Sequence, residues 1–229
     1  KSPTLVYKDF TTSDQVIRDL FTPDINKLTL DSKPLYKRIL NYINDVDPSL
    51  SKILTLKKGK GSIFDEHNIE EQYEKSLKRK VWMKSGAHLV IEHTEAMVVI
   101  DVNSGRFIGK KDQEQNSLKI NLESAREVAR QLRLRDIGGL VVIDFIDLQK
   151  EENRKKVFDE LKNALRNDRA KVSLTEFSTF GLLEMTRQRI RLNLLHTVSA
   201  DCPTCNGLGR IATPDTVLTR IENWLKRFR

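Results

Sequence analysis

A chain of 229 residues with 38% hydrophobic and 31% charged side chains has the balance of a folded domain able to bury a full core, which excludes a disordered or fibrous chain. No apolar run reaches the roughly 18–20 residues of a membrane span and no signal peptide opens the chain, so a cytoplasmic protein is expected. Two cysteines three positions apart are not a disulfide framework, and a net charge of +8 favours a polyanionic partner.

In chain order, short strand and helix patterns alternate over the first third. Strands are predicted at 4–10 (TLVYKDF) and 25–30 (INKLTL), with a helix at 13–21 between them. A helix at 33–45 (KPLYKRILNYIND) and a strand within 51–59 (SKILTLKKG) follow. A glycine-punctuated loop, KKGKGS, leads to helical spacing over 64–80. Two strand-like runs, AHLVIEH (87–93) and AMVVIDVNSG (96–105), read as a hairpin. A polar loop, SGRFIGKKDQEQNS, then carries two glycines and basic residues; loops of this length without structure of their own are usually functional or mobile.

The stretch NLESAREVARQLRLRDIGG places Leu122, Ala125, Val128, Ala129 and Leu132 on one helical face and Arg126, Arg130 and Arg133 on the other, with Gly138 and Gly139 as the stop. LVVIDFID (140–147) is a buried strand, 150–168 an amphipathic helix, and AKVSLTEFS (170–178) a further strand. GLLEMTRQRIRLNLL (181–195) is predicted as a basic helix, and 213–228 as a C-terminal helix. Strands interleaved with helices give an α/β (α+β) class.

The chemistry concentrates at two strand ends. Side chains alternate along a strand, so Met97, Val99, Asp101 and Asn103 share a face, and Asp144 shares one with Val142 and Ile146 while Asp147 points away. Carboxylates beside such neighbours are costly without a cation, and two of them suit magnesium, which can polarise a phosphate and acidify a bound water. The competing reading is that Asp101 and Asn103 end a strand and Asp147 caps the next helix. No GxSxG elbow and no GxxxxGK[ST] loop is present, and the four histidines are scattered, which argues against serine-nucleophile and nucleotide triphosphatase chemistry. Arg106, Lys110, Lys111, Arg169, Lys171, Arg187 and Arg189 are candidates for phosphate contacts. An aromatic content of 7% argues against a broad base-stacking platform.

AMVVIDVNSGRF, NLESAREVARQLRLRDIGGLVVIDFID, FGLLEMTRQR and CPTCNGLG, in this order, closely resemble the catalytic region of the ribonuclease E/G family of bacterial endoribonucleases. The resemblance runs continuously from about residue 80 to 210 and more weakly over 1–79. It implies a magnesium-dependent endonuclease that cleaves single-stranded, A/U-rich RNA to leave 5′-phosphates, in RNA processing and mRNA decay. It further implies that Asp101 and Asp144 hold the catalytic magnesium, that Asn103 hydrogen-bonds near the scissile phosphate or attacking water, and that Asp147 is in a supporting position.

The implied organisation is a partial RNase H-like subdomain at 1–76, a DNase I-like catalytic subdomain at 77–198, a zinc link at 199–212 and the start of a small C-terminal domain at 213–229. The family's oligonucleotide-binding barrel and 5′-end sensor are expected upstream of Lys1. For Cys202 and Cys205, three readings stand: a reduced pair without metal, a site completed by His196 or Asp201, and one structural zinc shared by two chains. The resemblance supports the shared zinc, and with it a homodimer, a dimer of dimers remaining open for a full-length protein. The alternative to a nuclease is an RNA-binding scaffold fragment that dimerises through zinc; a deoxyribonuclease rests on fold analogy alone.

Overall fold

The computed structural model describes residues 25–59, 61–105, 113–205 and 207–227. The strand and helix predicted at 4–10 and 13–21 lie outside the described residues. The chain divides into two compact units, Lys1–Tyr73 and Glu74–Arg229.

In the first unit, β1 (Leu28–Leu30) and β2 (Leu54–Leu56) pair in parallel, and the connection between them contains α1 (Lys33–Val46). Ser32 caps α1 by accepting from the Leu35 N–H, and Pro34 sits in its first turn, where a missing N–H costs nothing. Asp47 ends α1 and accepts from the Ser49 N–H to start a 3₁₀ turn, Pro48–Ile53. Ile39 and Ile43 of α1 are buried with Leu54 of β2, a small core that fits the short strands. The helical spacing read over 64–80 divides into α2 (Ile63–Glu66) and α3 (Ile69–Leu77), broken at Asn68, whose φ of 51° is left-handed.

The second unit is built on a six-stranded mixed sheet in the order β3 (Lys80–Trp82), β4 (His88–His93), β5 (Met97–Asn103), β6 (Gly139–Asp144), β8 (Leu182–Arg187), β7 (Val172–Leu174). Only β5 and β6 run parallel, joined through α4 (Gln113–Leu134); every other neighbouring pair is antiparallel. Alternate strand residues Leu89, Ile91, Val98, Ile100, Val102, Val141, Ile143, Leu183 and Met185 are buried in one core. Ile120, Ala125, Val128, Ala129 and Leu132 of α4 enter it, with Val157 and Leu161 of α5 (Glu151–Ala164). The arginines on the outer side of α4 tie the two helices together: Arg126 pairs with Glu160, and Arg133 donates to the Ala164 carbonyl at the end of α5.

One sequence expectation fails here. Residues 182–187 of the predicted basic helix form strand β8, because Leu183, Met185 and Arg187 alternate inward at a period of two. Gly181, with φ of 80°, turns the chain into that strand. Helix returns only for α6 (Leu194–Val198), capped by Asn193, and for α7 (Pro214–Arg227). No helix among the described residues is long and apolar enough to cross a membrane.

Candidate active site

Because β5 and β6 are parallel, their C-terminal ends emerge at the same edge of the sheet, and their register sets Asp101 directly beside Asp144. Adjacent strands lie about 4.8 Å apart, so the two exposed carboxylates are immediate neighbours. Asn103, one pleat further along, donates from Nδ2 to Asp101 Oδ2 at 2.6 Å, which fixes the amide and one lobe of the carboxylate together. Burial, then the charges of Asp101 and Asp147, push the Asp144 carboxyl above its usual range. Two neighbouring acids that no lysine or arginine among the described residues pairs with have the chemistry of a hard divalent-metal site: oxygen donors only, excess negative charge, and an open side for water and phosphate. Among the described residues, no group of three or more His, Cys, Asp or Glu side chains converges as a ready-made metal cage. The fit is therefore to a cation held by two carboxylates and completed by substrate and water.

Two residues that sequence reasoning missed hold this edge in place. Asn121 is fully buried on the apolar side of α4, and its amide both donates to the Ile146 carbonyl at 2.7 Å and accepts from the Ile146 N–H at 3.1 Å. It thereby clamps the loop that leaves β6 between Asp144 and Asp147. Glu114, in the first turn of α4, accepts from the N–H groups of Gln149 and Lys150 and from Asn153 Nδ2, and so ties down the segment that leads into α5. The Asn153 amide and those backbone donors hold the Glu114 carboxyl below its usual range. The legible signal for Asn121 was an amide in register with Ala125 and Val128; Glu114 gave none.

The basic candidates do not gather at the carboxylates. Arg187 is a correction: it is 5% exposed, donates to Asp168 from both Nε (2.8 Å) and a terminal nitrogen (3.0 Å), and donates to the Ile137 carbonyl at 2.9 Å. It is committed to an internal ion pair and is not offered to phosphate. It also sits opposite Gly139, at the far end of β6 from Asp144. Arg169, Lys171 and Arg189 are exposed, but they flank the same far end, five residues of strand or roughly 17 Å from the acid pair. Arg189 backs onto Gly138, where an added Cβ would lie 2.9 Å from its Cα, so only glycine lets the two segments meet. Arg106, Lys110 and Lys111 lie outside the described residues.

Cys202 and Cys205 stand in an exposed turn after α6. The backbone N–H groups of Cys205 and Thr204 hold the Cys202 thiol below its usual range, and the Gly209 N–H lies 3.3 Å from Cys205 Sγ. Gly207 and Gly209 adopt φ of 82° and 67°, the left-handed region that favours glycine in this turn. A pair of cysteines at this spacing, with backbone donors turned to the Cys202 sulfur, has the chemistry to offer two of the four ligands a structural zinc takes. His196 is instead engaged with His93, their rings 6.0 Å apart and edge-on.

A family model described as the Ribonuclease E/G family matches residues 1–190. Ribonuclease G of Escherichia coli strain K12 is 37% identical over 222 residues, covering 97% of this chain and 45% of that protein. Ribonuclease E of Haemophilus influenzae is 39% identical over 225 residues, covering 98% of this chain and 24% of its own length. A chloroplastic ribonuclease E/G-like protein of Arabidopsis thaliana is 37% identical over 227 residues, again 98% of this chain and 23% of that one. The chain thus spans less than half the length of these relatives. The family model spans most of the chain and the likeness to these relatives runs along nearly all of it: the chain belongs to the ribonuclease E/G family.

Proposed function

We propose that this chain carries the hydrolytic centre of an endoribonuclease that cuts single-stranded RNA, with Asp101 and Asp144 as the ligands of a catalytic magnesium ion. The observation that carries the reading is the in-register placement of the two carboxylates at the open end of parallel β5 and β6. A divalent cation bound there supplies charge neutralisation at the phosphate and a more acidic water. Asn103, tethered to Asp101, presents its amide beside the same position and orients the phosphate or the attacking water. Hydrolysis adds the water oxygen to phosphorus and releases the 3′ oxygen, leaving a 5′-phosphate and a 3′-hydroxyl. Names of the relatives support RNA as substrate, and preference for A/U-rich segments belongs to the same reading.

In this reading residues 77–198 are the DNase I-like catalytic subdomain, 199–212 the link, 213–229 the start of a small domain, and 1–76 an RNase H-like portion. Cys202 and Cys205 join the same pair of a second chain around one structural zinc. A cytoplasmic setting accords with reduced thiols and an RNA substrate, although one relative is named chloroplastic.

Incubation with a fluorophore-labelled single-stranded A/U RNA tests the activity. Cleavage is expected to require magnesium, to stop with chelator and to fall in Asp101→Asn and Asp144→Asn. Undiminished cutting by both variants overturns the site; RNA binding without cutting by the unaltered chain favours the scaffold reading. Native mass spectrometry tests the link: a dimer with one zinc is expected, separating in Cys202→Ser.

A further inference from the structure

The face of the sheet that carries the acid pair also carries an aromatic group the hydrolytic reading does not use. Residues paired across neighbouring strands point to the same side, so the register Trp82–His88–Asn103 forms one row, and Lys80–Val90–Asp101–Asp144 forms the row beside it. Trp82 therefore stands two strands, or about 10 Å, from Asn103 along a continuous surface. It is 64% exposed, which leaves most of a large aromatic surface open to solvent. Its ring is nonetheless held: the His88 ring lies 4.9 Å away at 47°, and Lys80 Nζ sits 4.3 Å over its centroid. His88 Nδ1 is buried and has no hydrogen-bond partner among the described residues. An exposed indole braced by an imidazole, with the Lys80 ammonium beside it, is a combination that receives a nucleobase and its phosphate.

We infer that Trp82, supported by His88 and Lys80, is a stacking subsite for a base of the RNA strand that crosses the Asp101–Asp144 pair. The inference rests on the proposed function for its choice of ligand, and it makes Trp82 a positioning residue rather than a catalytic one. Every nucleobase has a π-face, so the subsite fixes the strand's path without selecting sequence. Base stacking, not charge, carries the contact, which separates it from a general attraction of the basic chain for polyanions.

The chain has two tryptophans, so Trp224→Phe leaves Trp82 as the single fluorophore. In that background, with Asp144→Asn added so that the RNA stays intact, a short single-stranded A/U RNA is titrated against Trp82 fluorescence. Saturable quenching is expected. By intact-RNA filter binding, Trp82→Ala weakens affinity roughly 5- to 150-fold and Trp82→Phe restores most of it. Inorganic polyphosphate binds the Trp82→Ala chain as well as it binds the parent. Unchanged RNA affinity in Trp82→Ala, equal losses for RNA and polyphosphate, or a Trp82→Phe chain as weak as Trp82→Ala overturns the subsite. Because the titration uses a hydrolysis-deficient chain, its failure is separate from failure of the nuclease reading, which is read by RNA cleavage in the unaltered chain.

Discussion

The two ends of β6 use the same residue types to opposite effect. At the end near Gly139, Arg187 and Asp168 are buried together, each satisfying the other, with Ile137 and Asp136 completing the arginine's partners. At the end near Asp144, two acids stand side by side, exposed, and no arginine or lysine among the described residues pairs with either. The first arrangement is neutralised and contributes to the fold. The second leaves charge unneutralised, which costs stability and leaves affinity for a cation. Proteins concentrate such local conflicts where function needs them.

The largest expected effect breaks the acid end alone. Asp101→Asn or Asp144→Asn is expected to lower the RNA cleavage rate on the order of a thousandfold, since several kcal/mol of charge stabilisation go with the metal. The same substitutions raise stability by at most about 1 kcal/mol, because two neighbouring charges no longer repel. Thermal unfolding beside a cleavage assay reads both, and a variant that loses activity by unfolding contradicts the comparison.

The arginine end responds in the reverse sense. Asp168→Ala strands the Arg187 guanidinium in the interior and is expected to cost about 3–5 kcal/mol by urea denaturation. Arg187→Met combined with Asp168→Leu recovers most of that loss, because an apolar pair needs no solvation. Cleavage per folded molecule stays unchanged in the double variant; a fall in its rate would mean that this end also serves the substrate.

Asn121→Ala sharpens the comparison by loosening the acid end without touching an acid. It leaves the Ile146 N–H and carbonyl without their amide partner, expected to cost about 1–3 kcal/mol, and lowers kcat more than it raises KM because the loop between Asp144 and Asp147 is no longer held. Asn121→Asp, which sets an unpaired carboxylate against the Ile146 carbonyl in the interior, should cost at least as much as Asn121→Ala.

The smallest effect is a pH dependence at Glu114. Its carboxyl is held below the ordinary value, so the folded state binds its proton less readily than the unfolded chain. Its contribution is therefore complete above the ordinary glutamate value of about 4.3 and is lost as pH falls through the lowered one. The stability difference between the parent chain and Glu114→Gln should shrink across that window; a difference that persists at acid pH would assign the contact no charge component.

Much of this was legible before any coordinates. The alternation in AHLVIEH and AMVVIDVN gave the β4–β5 hairpin, and the spacing of Ala125, Val128, Ala129 and Leu132 gave the core face of α4. Period-two alternation in LLEMTR competed with a helical reading, and neighbouring strands decided it: β6 and β7 supply hydrogen-bond partners on both sides of β8. Arg187 read as a phosphate contact because sequence shows charge and not depth.

Residue types and their local periodicity determined which segments became strands, which faces were apolar, and that two aspartates would end two apolar strands. Local pattern does not encode pairing direction or register. Only the tertiary structure decided that β5 and β6 run parallel with Asp101 beside Asp144, that Trp82 shares their face, and that Arg187 turns inward. Those outcomes depend on contacts between residues tens of positions apart, where burial of one common core selects among many locally equivalent arrangements.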